Sequence, residues 1–138
     1  MNREEIMRII PHRPPMLLVD EAEKTDENSC RGSYTVKGDE WFLQGHFPGN
    51  PVVPGVILCE IMAQACGLLI GDEIKGKTPV YTGLDKVRFR NSVRPGDEIR
   101  VTARIERRMG NFFFAAAEAH VGDKLCVQGK LSFALLEG

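Results

Sequence analysis

The sequence predicts an α+β fold in which an antiparallel β-sheet wraps around one buried α-helix. Three observations carry this expectation. The stretch from Gly55 to Ile70 has helical length and an interior of Val, Ile, Leu, Met, Ala and Cys, with Glu60 and Gln64 as its only polar side chains. A helix that is apolar on every side is a buried one. The second half of the chain alternates with period two, most cleanly where Ile99, Val101, Ala103 and Ile105 face one way and Glu98, Arg100, Thr102 and Arg104 the other, which is the pattern of a half-buried strand. Between the strand candidates stand turn signals at Pro95-Gly96-Asp97, Met109-Gly110-Asn111 and Gly122-Asp123.

In chain order, Asn2 to Ile10 reads as a short amphipathic helix. Asn2 can cap it, Glu4 and Glu5 lie in the first turn where the helix dipole favours acids, and Pro11 ends it. Met16 to Lys24 and Cys30 to Lys37 read as strands joined by the polar turn Thr25-Asp26-Glu27-Asn28. A loop dense in Gly and Pro follows, Gly45-His46-Phe47-Pro48-Gly49-Asn50-Pro51 and then Pro54-Gly55. The buried helix runs from Gly55 to Ile70, with Gly71-Asp72 to stop it. Val80 to Arg90, Glu98 to Arg107, Phe112 to Val121 and Leu125 to Leu136 complete the strands. A twisted sheet around a central helix explains why that helix is apolar all round; the arrangement is called the hot-dog fold.

A length of 138 residues favours one domain, 1–138, and can bury a core without disulfides or metals. Four cysteines, Cys30, Cys59, Cys66 and Cys126, form no C-x-x-C pair and no secretory signal opens the chain. Reduced thiols in the cytoplasm fit this best. The longest apolar stretch is interrupted by Pro54, Glu60 and Gln64, so a membrane span is a poor reading. A net charge of -1 excludes a general polyanion binder, nucleic acid included. The charge is uneven, however. From Lys86 to Arg108 eight basic residues stand against three acids. That stretch is either a solvated strand face or a landing patch for an acidic partner.

Glu60 is the most informative residue, because a carboxylate is expensive to bury unpaired inside an apolar helix. Gln64 lies one turn on and shares its face, so its amide can orient the carboxyl. The plain alternative puts both at a solvent-facing helix edge. His46 sits in the Gly/Pro-rich loop just before the helix, where prolines stiffen the chain and glycines let backbone approach a ligand. Gly55 opens the helix, and its free N–H, at the positive end of the dipole, can stabilise a developing oxyanion. These parts suit removal of water from a 3-hydroxyacyl thioester, with a base, an oxyanion donor and an acid; which of His46 and Glu60 handles which proton stays open. His12 and His120 read as structural. Cys59 and Cys66, seven apart, read as small buried thiols rather than nucleophiles. No metal-ligand cluster and no nucleotide-binding Gly motif occurs, so neither a metal nor another cofactor is expected.

The segments Pro11-His12-Arg13-Pro14-Pro15-Met16-Leu17-Leu18-Val19-Asp20, Gly45 to Pro51, Pro54 to Gln64, Gly83 to Arg90 and Pro95-Gly96-Asp97 together resemble, in order and over nearly the whole chain, the beta-hydroxyacyl-acyl-carrier-protein dehydratases of bacterial type II fatty acid synthesis. The resemblance implies a hot-dog fold, homodimers joined into a homohexamer as a trimer of dimers, and active sites at the dimer interface, with His46 from one subunit and Glu60 from the other. It implies acyl carrier protein as partner, its phosphopantetheine arm carrying the acyl chain into an apolar tunnel. Gly55 then supplies the backbone donor, Gln64 supports Glu60, and Phe47, Tyr81 and Phe89 line the tunnel. Lys86, Arg88, Arg90 and Arg94 form the patch for the acidic carrier. The similar family that also isomerises ten-carbon substrates carries Asp at the helix position; Glu60 favours the plain dehydratase. Two rivals remain: an acyl thioesterase of the same fold, and a non-catalytic acyl-thioester sensor.

Overall fold

The computed structural model describes residues 1–137. Helix α1 spans Arg3–Met7 and is closed at its start by a reciprocal pair: the Asn2 side chain accepts from Glu5 N–H, and the Glu5 carboxylate accepts from Asn2 N–H. The helix is shorter than expected, and Ile6 and Ile10 drop into the core. Strands β1 (Glu21–Asp26) and β2 (Ser29–Thr35) form a hairpin. Residues Met16 to Val19, expected as part of the first strand, form no strand; Met16 and Leu17 N–H instead close a turn on the Arg13 carbonyl. Their backbone is taken up by the side chain of Gln64, which accepts from Leu18 N–H at 2.8 Å and donates to the Met16 carbonyl at 2.7 Å. Leu17, Leu18 and Val19 are buried beneath.

Helix α2 spans Gly55–Cys66. Gly71 does not stop it: the chain tightens into a 3-10 turn over Gly67–Ile70 and continues as a one-turn helix, α3, over Gly71–Ile74. Gly67 lets Ile10 pack against this turn, since a Cβ there would lie 2.5 Å from Ile10 Cγ2. Strands β3 (Lys77–Phe89), β4 (Glu98–Met109), β5 (Phe112–Val121) and β6 (Lys124–Glu137) follow: β5 is as expected, β4 runs two residues further, β6 gains one residue at each end, and β3 starts three residues earlier and stops one residue short of Arg90.

All six strands join one antiparallel sheet in the order β1-β2-β4-β5-β6-β3. The sheet curls around α2, whose Ile57, Leu58, Cys59, Ile61, Met62, Ala65 and Cys66 are buried against Val101, Ala103, Ala115, Ala117, Val127 and Leu131 in one hydrophobic cluster. This is the hot-dog fold. By length and composition the run Gly55–Ile74 could cross a membrane, but 67% of its most apolar window is buried inside the protein, as a core helix requires.

One side of α2 escapes the wrap. Val56 is 70% exposed, and Glu60 and Ala63 are only partly buried. These positions are spaced four and three apart, so they form a stripe along one helix face. The expectation of a helix covered on every side is thus corrected: the six strands of one chain leave a strip of it open.

Candidate active site

Two concavities flank that open strip. The first is an apolar cavity of about 260 Å³ between the 3-10 turn, α3 and β3. Ile10, Ile70, Ile74 and Phe133 form much of its wall, while Glu60, Gln64, His12 and Tyr81 bring the polar atoms. The second is an open groove at the start of α2, lined by His46, Val52, Gly55, Phe89 and Arg90 among others. The two share no residue, and no hydrogen bond or ion pair joins His46 to Glu60 within the described chain. One chain therefore presents each half of the expected pair in a different place.

Glu60 keeps 19% of its side chain accessible, so it is partly rather than fully buried. Gln64 is buried and donates from Nε2 to Glu60 Oε2 at 2.9 Å. With the two backbone bonds already described, the Gln64 amide is saturated, which makes it a rigid support. The geometry brings in one residue that was expected to be structural. His12 Nε2 lies 3.4 Å from the same Glu60 Oε2. It arrives on the loop after α1, held in place by Arg13, which donates to the carbonyls of Ile10 and His12. The sequence signal was the Pro11-His12-Arg13 run, but nothing in its spacing placed it 48 residues away against Glu60. Tyr81 comes from β3; the residue is 41% exposed, and its hydroxyl donates to the Cys59 carbonyl at 2.9 Å. Burial, reinforced by the negative charge of Glu60, pushes this hydroxyl's pKa up, so it remains a neutral donor.

His46 lies in the loop after a 3-10 turn at Trp41–Leu43. Its Nδ1 is 2.8 Å from the Val52 carbonyl. A carbonyl only accepts, so the proton sits on Nδ1 and Nε2 carries the free lone pair. His46 N–H bonds the Leu43 carbonyl and the His46 carbonyl accepts from Val52 N–H, which pins the loop on both sides of the ring. Gly55 is the first residue of α2, and an N–H in that turn has no partner inside the helix. A Cβ at Gly55 would stand 2.8 Å from the Phe89 ring, so the absent side chain is what lets that ring close over the helix start.

The pattern of FabA-like domains matches residues 10–130. The chain is 44% identical over 137 residues to the 3-hydroxyacyl-[acyl-carrier-protein] dehydratase FabZ of Clostridium perfringens, covering 98% of this chain and 99% of that protein. This chain belongs to the FabZ dehydratase family. The FabZ protein of Natranaerobius thermophilus is 43% identical, with 96% of each chain covered. Among solved structures, a chain of the dehydratase heterocomplex ApeI:P from Xenorhabdus doucetiae superposes with a TM-score of 0.80 at 24% identity, covering 94% of this chain and 90% of that one. That likeness establishes the fold.

The remaining site expectations divide. Tyr81 lines the Glu60 cavity, whereas Phe89 lines the His46 groove. Phe47 lines neither; it stacks on the His46 ring with centroids 4.2 Å apart and is mostly exposed. Lys86, Arg88, Arg90 and Arg94 are exposed, and none forms an ion pair among the described residues, whereas Arg100, Arg104 and Arg108 of the same stretch are paired to Glu98, Glu106 and Glu73. They do not gather in one place. Arg90 borders the His46 groove, Arg94 donates to Asn50 Oδ1 in the His46 loop at 2.6 Å, and Lys86 lies on the outer sheet face in a concavity with Arg31, Arg104 and Lys130. All four cysteines are free and buried. Burial pushes the Cys30 thiol up to about 12 and raises Cys59 and Cys66 as well, Cys59 further by the charge of Glu60. Raised thiols are poor nucleophiles.

Proposed function

We propose that this protein converts (3R)-3-hydroxyacyl-acyl carrier protein to the trans-2-enoyl product in type II fatty acid biosynthesis, as a soluble cytoplasmic lyase. His46 of one subunit and Glu60 of another form the working pair. The observation that carries the reading is the division of the site. His46 has a fixed tautomer beside a helix N-terminus, and Glu60 has a fixed orientation at an apolar cavity. Both lie along the strip of α2 that its own sheet leaves open, in a member of a dehydratase family.

In this mechanism the acyl chain occupies the cavity lined by Tyr81, and the thioester lies at the start of α2. The free Nε2 of His46 takes a proton from the carbon beside the carbonyl. Negative charge develops on the thioester oxygen, where the Gly55 N–H and the positive end of α2 stabilise it. Glu60 gives its proton to the 3-hydroxyl; the carbon–oxygen bond breaks, the double bond forms and water departs. A proton passing back from the His46 imidazolium to the Glu60 carboxylate resets the pair. No cofactor is needed beyond the phosphopantetheine arm of the carrier. The free cations Arg90 and Arg94 near the groove, with Lys86 and Arg88 beyond, meet the acidic carrier and raise its rate of arrival. The catalytic dimer forms along the exposed edge of β3, and three dimers make the hexamer.

The test is turnover of 3-hydroxybutyryl-acyl carrier protein followed by mass, with wild type beside His46→Ala and Glu60→Gln. The expected result is enoyl product from wild type and losses of about 10²–10⁴-fold in each folded variant. Release of free thiol in place of enoyl product identifies a thioesterase. Binding without turnover identifies a sensor.

A further inference from the structure

Glu60 is gripped on one oxygen only. Gln64 Nε2 at 2.9 Å and His12 Nε2 at 3.4 Å both address Oε2, and no hydrogen bond among the described residues reaches Oε1. The third polar side chain at this cavity, Tyr81, donates to the Cys59 carbonyl at 2.9 Å while its hydroxyl stands close to the Glu60 carboxylate, and the neighbouring Cys59 thiol is buried. His12 is placed for this contact at a cost. Its Nδ1 is buried and has no hydrogen-bond partner among the described residues. A ring kept only to fill space would do better as an apolar side chain, which leaves nothing unpaired. The unpartnered Nδ1 also settles the tautomer: a proton there would be a buried donor without an acceptor, so the proton sits on Nε2, aimed at Glu60.

From this geometry we infer that His12 is a positioning residue for the dehydration, donating from Nε2 to Glu60 Oε2 so that Oε1 alone is presented to the substrate. At 3.4 Å the contact is longer than a good hydrogen bond; contacts of this kind in unliganded sites commonly tighten when substrate arrives. His12 and Gln64 hold the carboxyl from two chain segments, the loop after α1 and α2 itself. The carboxyl plane is therefore set by tertiary structure rather than by the Glu60 rotamer alone. The inference rests on the dehydratase reading, since it assigns His12 a part in that reaction.

The experiment compares wild type, His12→Gln and His12→Leu in the 3-hydroxybutyryl-acyl carrier protein assay, with Glu60→Gln alongside and thermal unfolding of each. Gln can place a donor nitrogen near the position of the lost Nε2; Leu fills similar space with no donor. The expected result is that His12→Leu lowers kcat about 10–100-fold, the scale of a slight misplacement of a reacting group, with KM within about threefold and the unfolding temperature unchanged or higher. His12→Gln is expected to recover most of the lost kcat. If His12→Leu turns over like wild type, or if the Gln and Leu variants lose kcat equally, the donor is irrelevant and the inference falls while the dehydratase reading stands. A wild type that makes no enoyl product overturns both.

Discussion

Gln64 shows how much one side chain can hold. Its carbonyl oxygen accepts from Leu18 N–H, and its two amide protons go to the Met16 carbonyl and to Glu60. Replacement by Leu keeps the volume but leaves a buried N–H unpaired, at a cost of about 1–3 kcal/mol, and a partly buried C=O that loses its partner at a smaller cost. Gln64→Leu is expected to lower the unfolding free energy by about 2–4 kcal/mol in urea titration and to reduce turnover as well, because Glu60 loses its firmest support. A stable, fully active Gln64→Leu protein contradicts both assignments. The four-residue spacing made the Glu60–Gln64 contact legible. The contacts to residues 16 and 18 were not, because they link segments more than forty residues apart.

At the scale of elements, the loop carrying His46 is anchored upstream by Glu40. That carboxylate accepts from the Tyr34 hydroxyl at 2.6 Å, from Lys37 N–H at 2.9 Å and from Gly38 N–H at 2.8 Å. Burial by itself pushes the Glu40 pKa up, but these donors together outweigh it and hold the carboxyl below its ordinary value near 4.5. A folded-state value below the unfolded one means that the stabilisation is present above about pH 4.5 and is lost as pH falls through the folded value. The difference in unfolding free energy between wild type and Glu40→Gln is therefore expected to be largest near neutrality and to shrink below about pH 4.5. A difference that stays constant down to pH 3 refutes the assignment. Helix α2 teaches a related lesson. Its apolar composition correctly marked it as central, yet composition does not say how far a sheet wraps. Val56 was read as core and lies open, and Glu60 was read as buried and sits at the edge of the opening.

For the whole molecule, the sheet ends at β3, and that edge exposes apolar side chains among its polar ones. Val80, Tyr81, Leu84 and Phe89 are all exposed on it. A long edge strand with exposed apolar side chains is a template for pairing with another chain. A charge there opposes such pairing, so Leu84→Lys, at a position 48% exposed in one chain, is expected to remain folded by circular dichroism. Light scattering should show a smaller assembly than wild type, with loss of dehydratase turnover. An unchanged assembly with full activity places the subunit contact elsewhere.

Local chemistry in the sequence carries its own structural consequences. Period-two alternation named β4 and β5, Asn2 named the first cap, and the apolar run named the central helix, because these signals depend on neighbours within a few residues. The motifs around His46 and Glu60 pointed to the family for the same reason: they are contiguous. Folding decided what depends on distant segments meeting. It set His12 against Glu60, gave Gln64 the backbone of residues 16–18, and put Phe89 over Gly55. It also placed His46 and Glu60 in separate concavities of one chain. No local pattern encodes that separation, because it follows from where a six-stranded sheet stops around its helix.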